Sequence, residues 1–292
     1  MEFGVCIPHY RPGAAPDGML AASATAERLG WDSIWATDHI LPDLGERASE
    51  YAHMFESLTT LAWLGGQTRS VRLGLSVLVV PMRSAVVLAR ELASIDALTA
   101  GRLIVGVGIG WNREEFDNLG VADRFGHRGA YLEETIAMWR HLWSGAGGPY
   151  QGRFDSFGEV GFSPLPAQRA DLPIWIGATA DAALARAGRV AQGYQSSRTG
   201  PGVMRHRAAV IAAAAAAAGR PMPVLSSRVI VEFGPAQRPA YTLAGSPAEM
   251  LAEVHAFRDA GVTHLALDFW QTDATEIVRN MERFDREVIA AL

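Results

Sequence analysis

The chain has 292 residues, of which 49% are hydrophobic and 20% are charged. This composition is typical of a globular protein and excludes a disordered or fibrous one. The net charge is −5 and no extended basic patch is visible, so neither nucleic acid nor an anionic membrane is an expected partner. The one cysteine, Cys6, cannot form an intramolecular disulfide, which is compatible with a reducing cytosol.

The N-terminus enters an apolar, strand-like stretch directly, without a basic region and a long apolar run. We therefore expect no signal peptide. No stretch of about 20 apolar residues predicts a membrane span. Together with the single cysteine, these features favour a cytoplasmic protein.

Short apolar runs alternate with longer helical patterns along the chain. The predicted strands lie near 2–8, 33–37, 71–80, 102–107, 173–177, 192–196, 223–233 and 263–269. The predicted helices lie near 17–29, 55–68, 84–99, 128–143, 180–190, 202–218, 247–260 and 273–291. Strict alternation predicts a parallel sheet covered by helices, and eight such units in about 250–300 residues favour a closed (β/α)₈ barrel. The predicted fold is therefore α/β, a TIM barrel that forms a single domain over residues 1–292.

Local signals mark several helix ends. Asp17 is placed to cap the first helix and Gly30 to end it. Ser246, Pro247 and Glu249 form a capping box with proline at the first helical position. Both patterns support the predicted boundaries.

Two connections are unusually long, at 38–54 after the second strand and at 144–172, where we predict an insertion. Long connections in a compact domain are often functional lids. We expect both segments to close over a bound substrate.

The stretch "SIWATDHILP" ends the second predicted strand in two titratable residues, Asp38 and His39. In a (β/α)₈ barrel the active site lies at the C-terminal ends of the strands. A histidine can exchange a proton near neutral pH, and a neighbouring carboxylate can fix its tautomer or bind a ligand donor. The alternative is a helix cap or a surface pair at the start of a loop.

The fourth strand leads into "GVGIGW", with glycines at 106, 108 and 110. This spacing differs from the G-x-G-x-x-G fingerprint, so a Rossmann nicotinamide site is not predicted. The glycines could let a flat cofactor approach the backbone closely. Tight packing at the barrel rim is the alternative explanation.

The fifth strand leads into Gly177, Ala178 and Thr179, directly before a helix. Free N–H groups and the helix dipole at this position favour a phosphate. Asp181 in the first helical turn would repel an anion, and Thr179 could be only an N-cap.

Metal binding is not predicted. His9, His39 and His53 are scattered and show none of the usual ligand spacings. A metal-dependent barrel hydrolase is therefore a distant alternative.

Several segments together resemble the bacterial luciferase-like family of flavin- or deazaflavin-dependent oxidoreductases. They are "GVCIPHY", "GWDSIWATDHILP", "FESLTTLAWLGGQTRSVRLGLSVLVVP", "LARELASIDALTAGRLIVGVGIGWNREEF" and "PIWIGATADAALARAG". The resemblance covers nearly the whole chain and extends to "AGSPAEMLAEVHAFRDAGVTHLALDF". It implies a (β/α)₈ barrel, a homodimer, and FMN or coenzyme F420 as the cofactor. The Asp-His pair is similar to that of the F420-using branch.

The resemblance also implies roles for individual residues. His39 would act on a proton of the substrate, and Asp38 would contact the deazaflavin. A non-proline cis peptide between Ser76 and Val77 would back the cofactor ring.

Gly110 and Trp111 would border the ring by the same resemblance, and Gly108 is a further candidate for binding the cofactor. Gly177, Ala178 and Thr179 would then hold the cofactor phosphate.

The chain departs from the F420-dependent alcohol and sugar dehydrogenases at one position. Those enzymes place an acidic glutamate after the glycine of the fourth strand, where this chain has Trp111, with Glu114 and Glu115 several residues on. A tryptophan suggests an aromatic wall unless it packs inward. We therefore expect a reductase or monooxygenase that acts on an apolar substrate.

The resulting hypothesis is hydride transfer between a deazaflavin and an apolar organic substrate, with His39 exchanging the accompanying proton. One alternative is a two-component FMN monooxygenase that receives reduced flavin from a separate reductase. A second alternative is a non-catalytic flavin-binding or deazaflavin-binding protein. The expected partners are a second copy of the chain, joined through the helices at 55–68 and 84–99, and a reductase or F420-reducing enzyme.

Overall fold

The computed structural model describes residues 1–45 and 48–292. Its strands are β1 (Glu2–Cys6), β2 (Ser33–Ala36), β3 (Arg72–Leu75), β4 (Leu78–Val79), β5 (Leu103–Gly108), β6 (Tyr150–Gln151), β7 (Ser156–Phe157), β8 (Ile174–Gly177), β9 (Gly193–Ser197), β10 (Val224–Phe233), β11 (Thr242–Gly245) and β12 (His264–Asp268). Its α-helices are α1 (Pro16–Leu29), α2 (Ser57–Gln67), α3 (Ala85–Leu98), α4 (Arg113–Asn118), α5 (Arg128–Trp143), α6 (Asp181–Val190), α7 (Pro201–Ala217), α8 (Pro247–Asp259) and α9 (Ala274–Glu287). None of the helices within these residues is both long and apolar enough to cross a membrane.

Eight strands form a closed parallel barrel in the order β1, β2, β3, β5, β8, β9, β10, β12. Val5 of β1, for example, is in register with Ile34 of β2 on one side and Leu267 of β12 on the other. The pairing of β9 with β10 closes the ring on the opposite side. The predicted (β/α)₈ barrel is confirmed.

Strand side chains alternate between two apolar clusters because successive residues point to opposite faces. The outer cluster joins residues such as Ile34, Val105 and Ile174 to the surrounding helices. Their chain neighbours form a separate cluster: Cys6, Trp35, Ile104, Trp175 and Ala266. This alternation places the second cluster inside the barrel.

A buried histidine completes the lower, N-terminal half of the barrel interior. The ring nitrogens of His264 lie 2.9 Å from the Ser33 hydroxyl and 2.8 Å from the Ser226 hydroxyl. Burial lowers the pKa of His264 to about 4, although the negative charge of Asp32 acts to raise it. The imidazole is therefore neutral at pH 7 and belongs to the floor of the barrel.

Several helix ends confirm or correct the predictions. Gly30 ends α1 with a φ of 72°, and Ser246 and Glu249 form the predicted capping box. Asp17 makes no capping hydrogen bond, because α1 begins one residue earlier, with Ala15 at the N-cap and Pro16 in the first turn.

The strand predicted at 71–80 is divided into β3 and β4 around the peptide bond between Ser76 and Val77. Helix α4, the β6–β7 hairpin and β11 were not predicted. The helix has six residues and each of these strands has four or fewer, which is too short to show a hydrophobic period.

The insertion at 144–172 packs along the outer helices, and its closure over a substrate stays a prediction. The backbone N–H groups of Arg153, Phe154 and Asp155 donate to the Glu134 carboxylate of α5. Arg90 of α3 donates to the carbonyl of Ser163. The Phe154 ring also lies 5.4 Å from Tyr131 and 6.4 Å from His127, so the insertion reaches the start of α5.

Candidate active site

The C-terminal ends of the barrel strands bring the predicted site residues to one rim. Asp38 and His39 follow β2, and both are buried, with 2% and 9% of their surface exposed. Although adjacent in sequence, their side chains have different partners. Each partner is a charged side chain from another connection at the same rim.

Asp38 is held by a bidentate ion pair with Arg83. The two guanidinium nitrogens lie 2.6 and 2.8 Å from its carboxylate oxygens. The Val79 N–H donates to the same carboxylate at 2.8 Å and the Ser57 hydroxyl donates at 2.9 Å. Burial alone would raise the pKa of Asp38, but the Arg83 charge and these hydrogen bonds outweigh it and lower the pKa.

Asp38 is therefore ionised and supplied with four donors from the protein. It fastens the end of β2 to β4 and to the residues just before α3. Its contact with a deazaflavin ring stays a prediction.

His39 is paired with Glu115, the third residue of α4. The His39 Nδ1 lies 2.7 Å from Glu115 Oε2, and the Glu115 side chain is fully buried. The other carboxylate oxygen accepts hydrogen bonds from the N–H groups of Ile40 at 2.5 Å and Leu41 at 3.2 Å. Because a carboxylate only accepts, this geometry assigns the hydrogen to Nδ1 and leaves Nε2 of the neutral ring as the base.

Two aromatic rings frame the His39 imidazole. Tyr51 stacks on it with a centroid distance of 4.1 Å and an interplanar angle of 26°. Trp111 meets it edge-on at 5.8 Å and is 39% exposed. Trp111 therefore does not pack inward, and it forms an aromatic wall beside His39.

The peptide bond between Ser76 and Val77 is cis, as the resemblance implies. The Ser76 carbonyl accepts a hydrogen bond from Arg228 at 3.2 Å, and the Ser76 N–H donates to the Ala36 carbonyl at 2.6 Å. Arg228 belongs to β10, on the opposite side of the ring of strands. Its side chain therefore crosses the barrel interior to reach this peptide.

The glycines at the ends of β5 and β8 are explained by Val77. A Cβ on Gly108 would lie 2.5 Å from a Val77 methyl, and one on Gly177 would lie 2.8 Å from the other. These contacts favour packing as the reason for both glycines. Gly110 has a φ of +74°, which favours glycine, and a Cβ there would lie 2.8 Å from Val79.

Asn112, which sequence reasoning missed, lies just after Trp111 and is only 2% exposed. It is the N-cap of α4, yet its side chain makes no capping hydrogen bond. Within the described part of the chain, its Nδ2 group is buried without a hydrogen-bond partner. A buried unsatisfied amide is costly, so this donor is available to a ligand at the rim.

The predicted phosphate loop lies between β8 and α6. The N-cap of α6 is Ala180 and not Thr179, and no side chain caps the helix. The first N–H groups of α6 therefore have no side-chain acceptor. Asp181, which could have opposed an anion, is exposed and lies 3.3 Å from His206.

A second missed residue, Arg207, adds positive charge to this loop. The Tyr194 hydroxyl donates to the Ala178 carbonyl at 2.9 Å and accepts from Arg207 at 2.9 Å. No carboxylate pairs with Arg207 among the residues that the structure describes. The loop thus combines an uncapped helix N-terminus with an arginine that is not neutralised.

Comparison with known proteins decides the family. The profile of the luciferase-like monooxygenase family matches residues 1–261. The chain belongs to this family. The F420-dependent glucose-6-phosphate dehydrogenase of Microbacterium testaceum is 33% identical to this luciferase-like chain over 181 residues, 61% of the chain and 52% of that protein. The chain spans about half the length of the curated relatives that it matches.

Two solved structures show the same fold over the whole luciferase-like chain. An F420-dependent secondary alcohol dehydrogenase in complex with an F420–acetone adduct aligns with a TM-score of 0.84 and 17% identity, covering 100% of this chain and 99% of that one. The oxygenating constituent of 3,6-diketocamphane monooxygenase from Pseudomonas putida, in complex with FMN, aligns with a TM-score of 0.81 and 15% identity. The alignment covers 100% of this chain and 98% of that one.

Possible metal ligands and the cysteine thiol complete the description of the barrel. In the described residues of this luciferase-like chain, no three His, Cys, Asp or Glu side chains converge as a metal site. Burial raises the pKa of the Cys6 thiol to about 12, so it is protonated at neutral pH and is a packing residue.

Proposed function

We propose that this chain is a cytoplasmic F420-dependent oxidoreductase that transfers hydride between the deazaflavin and an organic substrate with an apolar reacting part. The observation that carries the proposal is the buried Glu115–His39 pair at the C-terminal end of β2, with the pair 2.7 Å apart. It supplies a base of defined tautomer where (β/α)₈ enzymes hold their reacting groups. The name of the Microbacterium testaceum relative supports F420 as the cofactor.

The residues of the rim fit such a cofactor. The uncapped N-terminus of α6 and Arg207 would hold its phosphate. The unpartnered Nδ2 of Asn112 would donate to a polar ring substituent, and the Ser76–Val77 peptide would back the ring. When bound, the deazaflavin supplies two-electron redox chemistry, and the protein supplies orientation and proton transfer.

His39 would move the proton that accompanies the hydride. Its Nε2 accepts that proton when the substrate is oxidised and returns it when the substrate is reduced. The Glu115 carboxylate would stabilise the imidazolium through the Nδ1–H hydrogen bond. Tyr51 and Trp111 would line the apolar part of the substrate and exclude water from the proton transfer.

A direct titration tests the cofactor. Purified protein is titrated with F420 and with FMN, and the quenching of cofactor fluorescence gives the two Kd values. We expect F420 to bind at least about tenfold more tightly, a difference of ~1.4 kcal/mol. FMN binding without F420 binding, together with turnover that requires oxygen, would overturn the proposal.

The FMN-dependent two-component monooxygenase stays the second candidate, because an FMN-bound monooxygenase aligns over the whole chain with a TM-score of 0.81. Anaerobic turnover with reduced F420 excludes it. The non-catalytic alternative predicts that His39→Ala leaves ligand binding and biological activity intact. Our proposal predicts intact F420 binding and lost turnover in the same variant.

We also propose a homodimer formed through α2 and α3. A groove of about 730 Å³ lies between these helices, and its lining includes Val87 and Leu98, which are 54% and 84% exposed. Light scattering should give twice the monomer mass for the native chain and the monomer mass for Leu98→Glu. A reductase that regenerates reduced F420 completes the expected partners.

A further inference from the structure

Four arginines meet at the mouth of the barrel. Arg11 follows β1, Arg198 follows β9, Arg228 lies in β10, and Arg238 lies in the connection from β10 to β11. We call them the arginine cluster. Arg11 and Arg228 are buried, with 7% and 5% exposed, while the side chains of Arg198 and Arg238 are 27% and 29% exposed.

Three of these guanidinium groups surround one indole ring. The Cζ atoms of Arg11, Arg238 and Arg198 lie 3.5, 4.6 and 5.0 Å from the ring centre of Trp270. Cation–π contacts offset part of the repulsion between the three charges. Burial, followed by the positive charges of Arg11 and Arg198, lowers the pKa of Arg238.

The cluster carries more positive than negative charge. Arg11 and Arg228 share one carboxylate, Asp268, at 2.9 and 3.4 Å. Arg198 pairs with Glu50 at 3.1 Å, and Arg238 pairs with Glu232. Within the described ranges, four guanidinium groups therefore face three carboxylates. An uncompensated charge at a largely buried position is unfavourable unless a ligand neutralises it.

Arg11 also has a donor without a partner. Its two terminal nitrogens donate to Asp268 and Tyr10. Its Nε is buried and has no hydrogen-bond partner in the part of the chain that the structure describes. Guanidinium N–H groups suit the oxygens of a carboxylate or phosphate, which are acceptors of matching geometry and opposite charge.

On the basis of the proposed function, we propose that the arginine cluster binds an oxyanionic group, a carboxylate or a phosphate monoester, on the substrate. The cluster and the proposed base are connected through stacked rings. The Tyr10 ring lies 5.4 Å from Tyr51, and Tyr51 lies 4.1 Å from His39. The anion is thus held at a distance from His39, and the apolar part of the substrate spans the aromatic rings between them.

Binding of matched small probes tests the subsite without knowledge of the substrate. Phenylacetate, phenyl phosphate and the neutral isostere phenylacetamide are titrated calorimetrically at constant ionic strength, with and without F420. We expect at least one oxyanion to bind and phenylacetamide to bind at least about tenfold more weakly. The stronger of the two oxyanions identifies carboxylate or phosphate as the natural group. Equal affinity for phenylacetate, phenyl phosphate and phenylacetamide would overturn the subsite.

Two variants locate the probe on the protein. Arg198→Gln and Arg238→Gln should each weaken oxyanion binding about tenfold, ~1.4 kcal/mol. The control Arg279→Gln changes an arginine of α9 whose side chain is 64% exposed, and it should have no effect. The same loss in all three variants would refute the assignment. Because phenylacetamide and phenylacetate are also compared on the native chain, misfolding of a variant does not remove the test.

F420 titration of the same proteins separates the two proposals. Wild-type protein that binds F420 but no oxyanion refutes the subsite and leaves the proposed function standing. Wild-type protein that binds oxyanions but not F420 refutes the cofactor assignment. Variants that lose F420 affinity as strongly as oxyanion affinity would assign the cluster to the cofactor and overturn the substrate role.

Discussion

Replacing Glu115 with glutamine is expected to reverse the tautomer of His39. The carboxylate accepts from His39 Nδ1 through one oxygen and from two backbone N–H groups through the other. A glutamine amide has only one oxygen, and its NH₂ group must face one of these two sides. The choice of side determines which ring nitrogen of His39 carries the hydrogen.

The structure predicts which side the amide oxygen takes. When the amide oxygen faces Ile40 and Leu41, it accepts two hydrogen bonds from their N–H groups. When it faces His39, it accepts one hydrogen bond, and the two backbone donors then lie opposite an NH₂ group. One hydrogen bond contributes about 0.5–1.5 kcal/mol, and each unsatisfied buried donor costs about 1–3 kcal/mol. A free-energy difference of at least ~2 kcal/mol between the two orientations corresponds to a population ratio of about 30 in favour of the first. The NH₂ group therefore donates to Nδ1, and the ring hydrogen moves to Nε2.

A neutral His39 with hydrogen on Nε2 cannot accept a proton there. We expect turnover to fall by about 10²–10⁴-fold, the usual contribution of a positioned base with the correct tautomer. Nitrogen-15 NMR of histidine-labelled protein reports the tautomer directly, and comparison with His39→Gln identifies the signal. The matched control is Glu114→Gln, the same change at the preceding, exposed residue of α4. Retention of the Nδ1–H tautomer with full turnover in Glu115→Gln would refute the reasoning.

The barrel interior gives two further predictions. The pKa of His264 in the folded chain is about 4, below the ordinary value of 6.5. Between pH 6.5 and pH 4 the unfolded chain therefore binds more protons than the folded one. The free energy of unfolding should fall as the pH decreases through this range. The free energy of unfolding should decrease by about 3 kcal/mol over this range. Urea unfolding at several pH values should show a smaller pH dependence of this free energy in His264→Asn than in the native chain. Gly106→Ala would place a Cβ 1.7 Å from the Leu75 carbonyl oxygen and should destabilise the fold by about 3 kcal/mol or more. Gly66→Ala, in α2, would place a Cβ with no atom within 4 Å apart from its chain neighbours and the adjacent helix backbone, and it should stabilise the fold by about 1 kcal/mol. Equal melting temperatures for the two variants would contradict this argument.

The architecture was predictable from sequence because its signals are local and repeated. Each barrel strand is a short apolar run, and long helices such as α5 and α8 carry periodic patterns or caps within their own residues. The rim is different, because its decisive contacts join positions far apart in the chain. Glu115 lies 76 residues beyond His39, in a helix of only six residues, so neither periodicity nor spacing indicates the pair.

The glycines illustrate the same limit. From sequence, Gly108 was compatible with a close cofactor and with packing, and Gly177 was assigned to a phosphate loop. The deciding atom is a Val77 methyl group from a different strand connection, and its position depends on the closed barrel. Asp38 was correctly placed at the rim, but its ion pair with Arg83 crosses 45 residues and was not expected.

Asp38 and His39 also determine which part of the rim can move. Arg83 fastens Asp38 to the start of α3, and Glu115 fastens His39 to α4, both through buried charged contacts. Tyr51 covers one face of the His39 ring and belongs to a short turn that Glu50 ties to Arg198 through a partly exposed ion pair. Partly exposed ion pairs contribute little, so we expect this turn to open when substrate enters while His39 stays fixed. Tyr51→Ala should therefore change substrate association and leave the His39 tautomer unaltered, and a changed tautomer would show that Tyr51 positions the base.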